Sequence, residues 1–259
     1  MALNPSGAIS LGGPTAGQSI AVELGLSPSG SISLNDTAVR TLAQVPSGAI
    51  IMPTNFWGKS NVTGTQRAIF GYGNTSSTAF LSVTNLVSNT GVVSADTPGV
   101  GTARSGLAAA GYGGDKAIFG YGQIPANVSV TNLVSNTGVV SADTPGVGTA
   151  RYNLAAAGYG GDKAIFGYGL VVPTYSTVTN LVSNTGVVSS DTTNASTAAR
   201  AGLAAAGYGG DKAIFGFGFT GTANVSTTNL VSNTGVIQAN TPNTGSIRTS
   251  LAAAGYSLT

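Results

Sequence analysis

From residue 67 onward the apolar residues fall in short runs of strand length, separated by clusters of Gly, Asn, Asp, Ser and Thr. The plainest stretch is residues 151–169, RYNLAAAGYGGDKAIFGYG. It reads as an apolar strand over 154–159, a tight turn at Gly160, Gly161 and Asp162, and a second strand over 163–169. Gly-Gly-Asp supplies the positive-φ residues that a short hairpin turn needs.

The same text recurs. AIFGYG or AIFGFG begins at Ala68, Ala117, Ala164 and Ala213, NLVSNTG at Asn85, Asn132, Asn180 and Asn229, and LAAAGY at Leu107, Leu154, Leu203 and Leu251, so successive copies start 47 to 49 residues apart. Each unit holds four strand-like runs: A (LAAAGY), B (KAIFGYG), C (VTNLVS) and D (GVVSADT). That length and content predict β-propeller blades. Both faces of strand B are apolar, with Ala117, Phe119 and Tyr121 on one and Ile118 on the other, as a strand packed between two neighbours requires. The region opens on strand B and closes on a lone strand A at 251–256. The expected fold is therefore an all-β propeller of four blades, sealed by the C-terminal strand so that no edge stays unpaired. The rival is an assembly in which two or more chains pool blades into a larger ring.

Residues 1–60 carry a different pattern, Pro-Ser-Gly followed by a short β-branched run, at Pro5, Pro28 and Pro46. Turns, short strands and two helices over 16–24 and 36–43, the second capped by Asn35, predict a small α+β segment. It contains Phe56 and the only tryptophan, Trp57. This pair is either a core plug or an attachment point. A segment this short is expected to dock on a partner or self-associate. Residues 61–66 read as a linker, and 67–259 as the repeat domain.

Composition narrows the chemistry. The chain has 39 glycines, 7% charged residues and a net charge of +2, and no Lys/Arg cluster suggests nucleic acid. Without cysteine or histidine there are no disulfides, no thiol or imidazole catalysis and no His-based metal site. The N-terminal residues lack the basic and apolar regions of a signal peptide, and no apolar run reaches the ~18 residues of a membrane helix. The chain is thus expected in the cytosol, or to leave the cell without the secretory route, with no membrane insertion.

Arg-x-x-Leu-Ala-Ala-Ala, Gly-Gly-Asp-Lys and Ala-Ile-Phe-Gly-Tyr-Gly together resemble the kelch motif across residues 67–259. Gly-Tyr-Gly stands where that family has a glycine pair, and strand D lacks the usual tryptophan. Pro-Ser-Gly-x-Ile-Ser-Leu, Asn-Asp-x-x-Val-Arg and Phe-Trp-Gly-Lys-Ser, within residues 1–60, are similar to the start of structural and tail-fibre proteins of tailed bacteriophages, particularly those of cyanobacteria. These resemblances imply a virion protein assembled in the host cytoplasm. Residues 1–60 would bind other virion proteins, and the repeats would bind a host-surface glycan or protein as a tail-fibre adhesin, in a homo-oligomer. The alternatives are a purely architectural protein of head, neck or baseplate, and a polysaccharide-acting propeller enzyme.

Repeat copies differ mainly in two loops. The B–C loops occupy 74–81, 123–127, 170–177 and 219–226, and the D–A loops read PGVG, PGVG, TNAST and PNTGS. Alternating strand direction puts both sets on one face, where Phe80, Pro125, Tyr175 and Asn224 are candidate ligand contacts, unless the variation is drift. Arg104, Arg151, Arg200 and Arg248 precede strand A on that same face. They would either form a ring for an acidic ligand or pair with Asp96, Asp143 and Asp191 between blades. Asp115, Asp162 and Asp211 read as turn residues, since one carboxylate per loop falls short of the six to eight oxygens Ca²⁺ needs. No catalytic residue, metal or cofactor is expected: the single glutamate, Glu23, leaves no carboxylate pair outside repeat-equivalent positions.

Overall fold

The computed structural model describes residues 3, 9–12, 14, 18–27, 32–44, 50, 67–194, 197–242 and 244–256. The chain divides into two compact units, Met1–Gln66 and Arg67–Thr259.

The first unit holds two short helices, α1 (Ile20–Glu23) and α2 (Thr37–Ala43). Ile20, Val39, Leu42 and Ala43 turn inward against Leu3 and Ile9 to form a small apolar core. Helix α1 is shorter than its apolar pattern predicts. Ser19 caps it, and the preceding backbone forms a parallel bridge in which the Ile20 and Ala21 N–H groups donate to the Ser10 and Leu11 carbonyls. Asp36, not Asn35, occupies the N-cap of α2. Neither side chain caps the helix: Asp36 accepts from the Ser33 N–H, and Asn35 accepts from Arg40. No ladder forms at Ile9, Ser10, Leu11 or Ile32, where short strands are expected. Phe56, Trp57 and the linker lie outside the described residues.

The second unit is all-β, as the strand-length runs predict. Strand A is Ala108–Tyr112, Ala155–Tyr159 and Ala204–Tyr208; strand B is Lys116–Gly120, Lys163–Gly167 and Lys212–Gly216; strand C is Thr131–Val134, Val178–Val182 and Thr228–Val231. They form antiparallel A-B-C meanders in one register, with Ala109, Ala156 and Ala205 opposite Phe119, Phe166 and Phe215. The first repeat is a B–C hairpin, Ala68–Ser76 with Ala79–Val87. Glycines 113 and 114 of the A–B turn have φ of +62° and +79°, as the sequence requires. Strand D forms a ladder only at Thr192–Thr193. Elsewhere it lies against strand C through isolated bridges, such as Thr131 with Thr144 and Val134 with Val140, and side chains fill in between: Leu133 N–H donates to Ser141 Oγ, and Asn132 Nδ2 to the Ser141 carbonyl, each at 3.0 Å.

The core lies between repeats. In strand B the isoleucine faces the following repeat and the phenylalanine the preceding one, so Ile118 clusters with Phe166, and Ile165 with Phe215. Each phenylalanine sits on a glycine. A Cβ at Gly120 would fall 2.7 Å from the Phe166 ring, and at Gly167 2.8 Å from Phe215. The Gly-Tyr-Gly element completes the joint. Tyr72, Tyr121, Tyr168 and Phe217 all have φ of +64°, a strained left-handed setting for a bulky residue. The bulge throws the ring out of its own sheet and edge-on to the next repeat's phenylalanine, at 5.2 Å in Tyr72–Phe119, Tyr121–Phe166 and Tyr168–Phe215.

The expected closure by the C-terminal strand is not seen. Ala68–Ser76 pairs only with Ala79–Val87, and residues 251–256 carry no ladder. Strand A of each repeat stacks on strand A of the one before. The last copy follows that rule, bringing Gly255 against the Gly207 carbonyl rather than travelling to the first repeat.

Candidate recognition face

The B–C and D–A loops do share one side of the array, held there by backbone bonds. Ser105 and Gln123 exchange N–H···O bonds of 3.0 and 2.9 Å, Tyr152 and Leu170 of 3.2 and 2.8 Å, and Ala201 and Phe219 of 3.0 and 2.9 Å. Each loop pair is also tied to the next repeat, because the N–H groups of Gly73, Gly122, Gly169 and Gly218 donate to the carbonyls of Arg104, Arg151, Arg200 and Arg248. The variable segments are thus short hairpins on a rigid base, Gln123–Ile124 with Ala126–Asn127 and Leu170–Val171 with Thr174–Tyr175.

Of the candidate contacts, Pro125 is exposed at a loop tip, and Asn224 is exposed where it bridges Phe219 at the base of the fourth turn. Phe80 and Tyr175 are half-buried, and Tyr175 stacks edge-on to Phe219 of the next repeat at 5.8 Å. Tyr175 therefore serves repeat packing as well as the face. Val172, at the tip of the third B–C hairpin, is 65% exposed and belongs with Pro125 and Asn224.

The arginines divide three to one. Arg104, Arg151 and Arg200 are wholly buried, so no ligand reaches their guanidinium groups. Arg151 lies 4.2 Å over the Tyr121 ring and donates to the Tyr168 carbonyl at 2.7 Å, the Thr149 carbonyl at 2.9 Å and Asn180 Oδ1 at 2.7 Å. Arg104 repeats this with Tyr72, Tyr121, Thr102 and Asn132. Only Arg248 is exposed, stacked 4.0 Å over Phe217. The expected Arg–Asp pairing is indirect and runs to the other aspartate. Arg104 reaches Asp143, not Asp96, through Asn132, whose Nδ2 donates to Asp143 Oδ1 at 2.9 Å. Asn132, Asn180 and Asn229 are the polar hubs that the sequence reading passed over, although NLVSNTG is constant in all four units.

Burial pushes the Asp143 and Asp191 carboxyls up. The hydroxyl and amide of Thr102 with Asn132, and of Thr149 with Asn180, outweigh it and hold both below the usual aspartate range. A depressed folded-state pKa gives stability that is complete above the unfolded value, about 4, and is lost as pH falls through the folded one. Urea unfolding is therefore expected to show falling stability below about pH 4, with Asp143→Asn flattening the fall. The fourth repeat already carries Asn240 there, accepting from the Ala198 N–H at 3.2 Å. Equal acid sensitivity in Asp143→Asn and the parent would rule out this linkage.

At the opposite side, the turn pairs Lys116–Asp115, Lys163–Asp162 and Lys212–Asp211, at 2.5 to 2.7 Å, are solvent-exposed and structural, as expected for turn residues. Among the described residues no cluster of three acidic side chains converges, and no helix is long and apolar enough to cross a membrane. Compared with known proteins, the chain matches no family model, and no curated protein matches it.

Proposed function

We propose that this chain is a structural protein of a tailed-phage virion, a tail fibre or adhesin that binds a host-surface glycan through the loop side of its repeat array. The observation that carries the reading is the division of labour within each repeat. Invariant residues make the joints, while the segments that differ between copies, with Pro125, Val172 and Asn224 exposed on them, are fastened side by side on one face. Residues 1–60 are the attachment segment toward other virion proteins, on their resemblance to phage structural proteins. Each repeat is a kelch-like blade, a reading supported by the antiparallel meander and by face-to-face stacking.

A second reading, a purely architectural virion protein, is favoured by the burial of three arginines and the use of Tyr175 in packing, which leave the face few ready ligand groups. Replacing residues 124–126 and 171–174 by glycine-rich turns, which keeps Tyr175 and the Gln123 and Leu170 pairings, tests the choice. The recognition reading expects at least a tenfold loss of binding on a glycan array, with an unchanged melting temperature. Gold-labelled antibody should mark tail tips. Label confined to heads or necks, with no glycan bound by the parent chain, would replace it with the architectural reading.

A further inference from the structure

The two ends of the array are complementary halves of one joint. At the first repeat Phe70 is 62% exposed, whereas Phe119, Phe166 and Phe215 are at most 4% exposed. Among the described residues, its strand, Ala68–Ser76, has no partner on the edge where strand A pairs in the other repeats. Asn85 donates to Ser94 and Asp96 as its counterparts do, yet no arginine reaches its Oδ1. At the fourth repeat the pattern is inverted. Gly216 has only Thr228 within reach of an added Cβ, where Gly120 and Gly167 each carry a phenylalanine. Arg248 is stacked on Phe217, and among the described residues it bonds the Ser246 carbonyl and no asparagine. Residues 251–256 are a strand A without a strand B, and Tyr256 is 90% exposed where Tyr112 and Tyr159 are buried.

We propose that a second copy of this chain fills these vacancies, joining head to tail through the same contacts that join repeats within one chain. Residues 251–256 of one copy add as strand A to Ala68–Gly73 of the next, in the register that sets Ala253 opposite Phe70. Phe70 seats on Gly216 of the neighbouring copy. Arg248 donates to Asn85 Oδ1 and the Tyr72 carbonyl, and the Ser246 hydroxyl faces Asp96 as Thr102 faces Asp143. The first two internal joints supply the whole geometry and the third repeats its Phe–Gly seat and Arg–Asn bond, and each missing group at one end is present at the other. Because two different surfaces meet, the contact is heterologous, and it either closes a ring or extends a filament. The inference is independent of the recognition reading above.

The test uses the full chain in sedimentation velocity from about 1 to 100 μM. Parent protein is expected to associate with increasing concentration. Phe70→Ala and Gly216→Ala are expected each to weaken self-association at least 30-fold, the range of a central hot spot. Phe70 is exposed, and a methyl group at the buried Gly216 meets only the Thr228 side chain, at 3.2 Å, so circular dichroism and melting at low concentration are expected to change little. Each variant spoils one end only, so mixing the two restores a single intact contact and yields a 1:1 complex. A parent that stays monomeric at 100 μM overturns the proposal. So does association untouched by either variant, or a mixture that forms no complex.

Discussion

Replacing Phe166 by alanine lowers the unfolding free energy of the repeat array by about 3–5 kcal/mol. The ring is fully buried, seated on Gly120 and edge-on to Tyr121, with Ile118 and Val182 in the same cluster. It is the main apolar link between the second and third repeats. Its loss opens a cavity that neighbouring backbone, fixed by the Gly122 N–H to Arg151 carbonyl bond, cannot collapse to fill. For a unit of this size the melting temperature falls by roughly 2–4 °C per kcal/mol. Weakening one joint also loosens the coupling between the two halves of a nearest-neighbour array, so calorimetry is expected to show a broadened or split transition. Approached from the other wall, Gly120→Ala forces a methyl group to 2.7 Å from the same ring and costs about 1–3 kcal/mol. Phe70→Ala, at an exposed site, costs well under 1 kcal/mol in the dilute single chain. If Phe166→Ala and Phe70→Ala are equally mild, the core does not lie between repeats.

Arg151→Met is expected to cost about as much, roughly 3–5 kcal/mol. Methionine keeps much of the stem's packing against Tyr121, but removes three donors at once. The Tyr168 and Thr149 carbonyls and Asn180 Oδ1 are left without them, and Asp191, bonded to Asn180 Nδ2 at 2.9 Å, loses its relayed positive partner. Burial pushes the Arg151 guanidinium pKa down, yet an arginine stays charged, and that constancy suits a buried cation. Arg151→Lys does not rescue it, because an ammonium cannot span three acceptors in one plane while stacking on a ring. Urea unfolding of Arg151→Met, Asn180→Ala and the double variant measures the network. A coupling energy of about 1–3 kcal/mol is expected. Additive effects would mean that the arginine and asparagine act separately.

Strand positions, the A–B turn and the shared side of the variable loops were legible because they are local facts. Ala-Ile-Phe runs into its strand in each repeat, and Gly-Gly-Asp supplies its own positive-φ turn residues, to which the next repeat adds a bond from Gly113 N–H to the Asp162 carbonyl. What was hidden depends on neighbours. Gly-Tyr-Gly reads as a weakened glycine pair, but Tyr121 takes a left-handed setting that only the rings and guanidinium of the next repeat make worthwhile. The arginines read as a surface ring because charged residues usually stay wet, and their burial depends on Asn132 and its counterparts, 28 or 29 residues later in the chain. The Arg-to-Asn spacing, constant to within one residue across units, was the available signal. Ring closure is a sum of joint angles, and no residue pattern states an angle.

The placement of the core between repeats also bears on how such a chain changes in length. Residues 82–104 and 129–151 are identical over 23 positions. A crossover between those tracts adds or removes one unit of 47 residues while keeping every Phe–Gly and Arg–Asn partner in register. Unit number can then drift through recombination without a new interface having to evolve, and each duplicated unit arrives with a spare loop pair free to diverge.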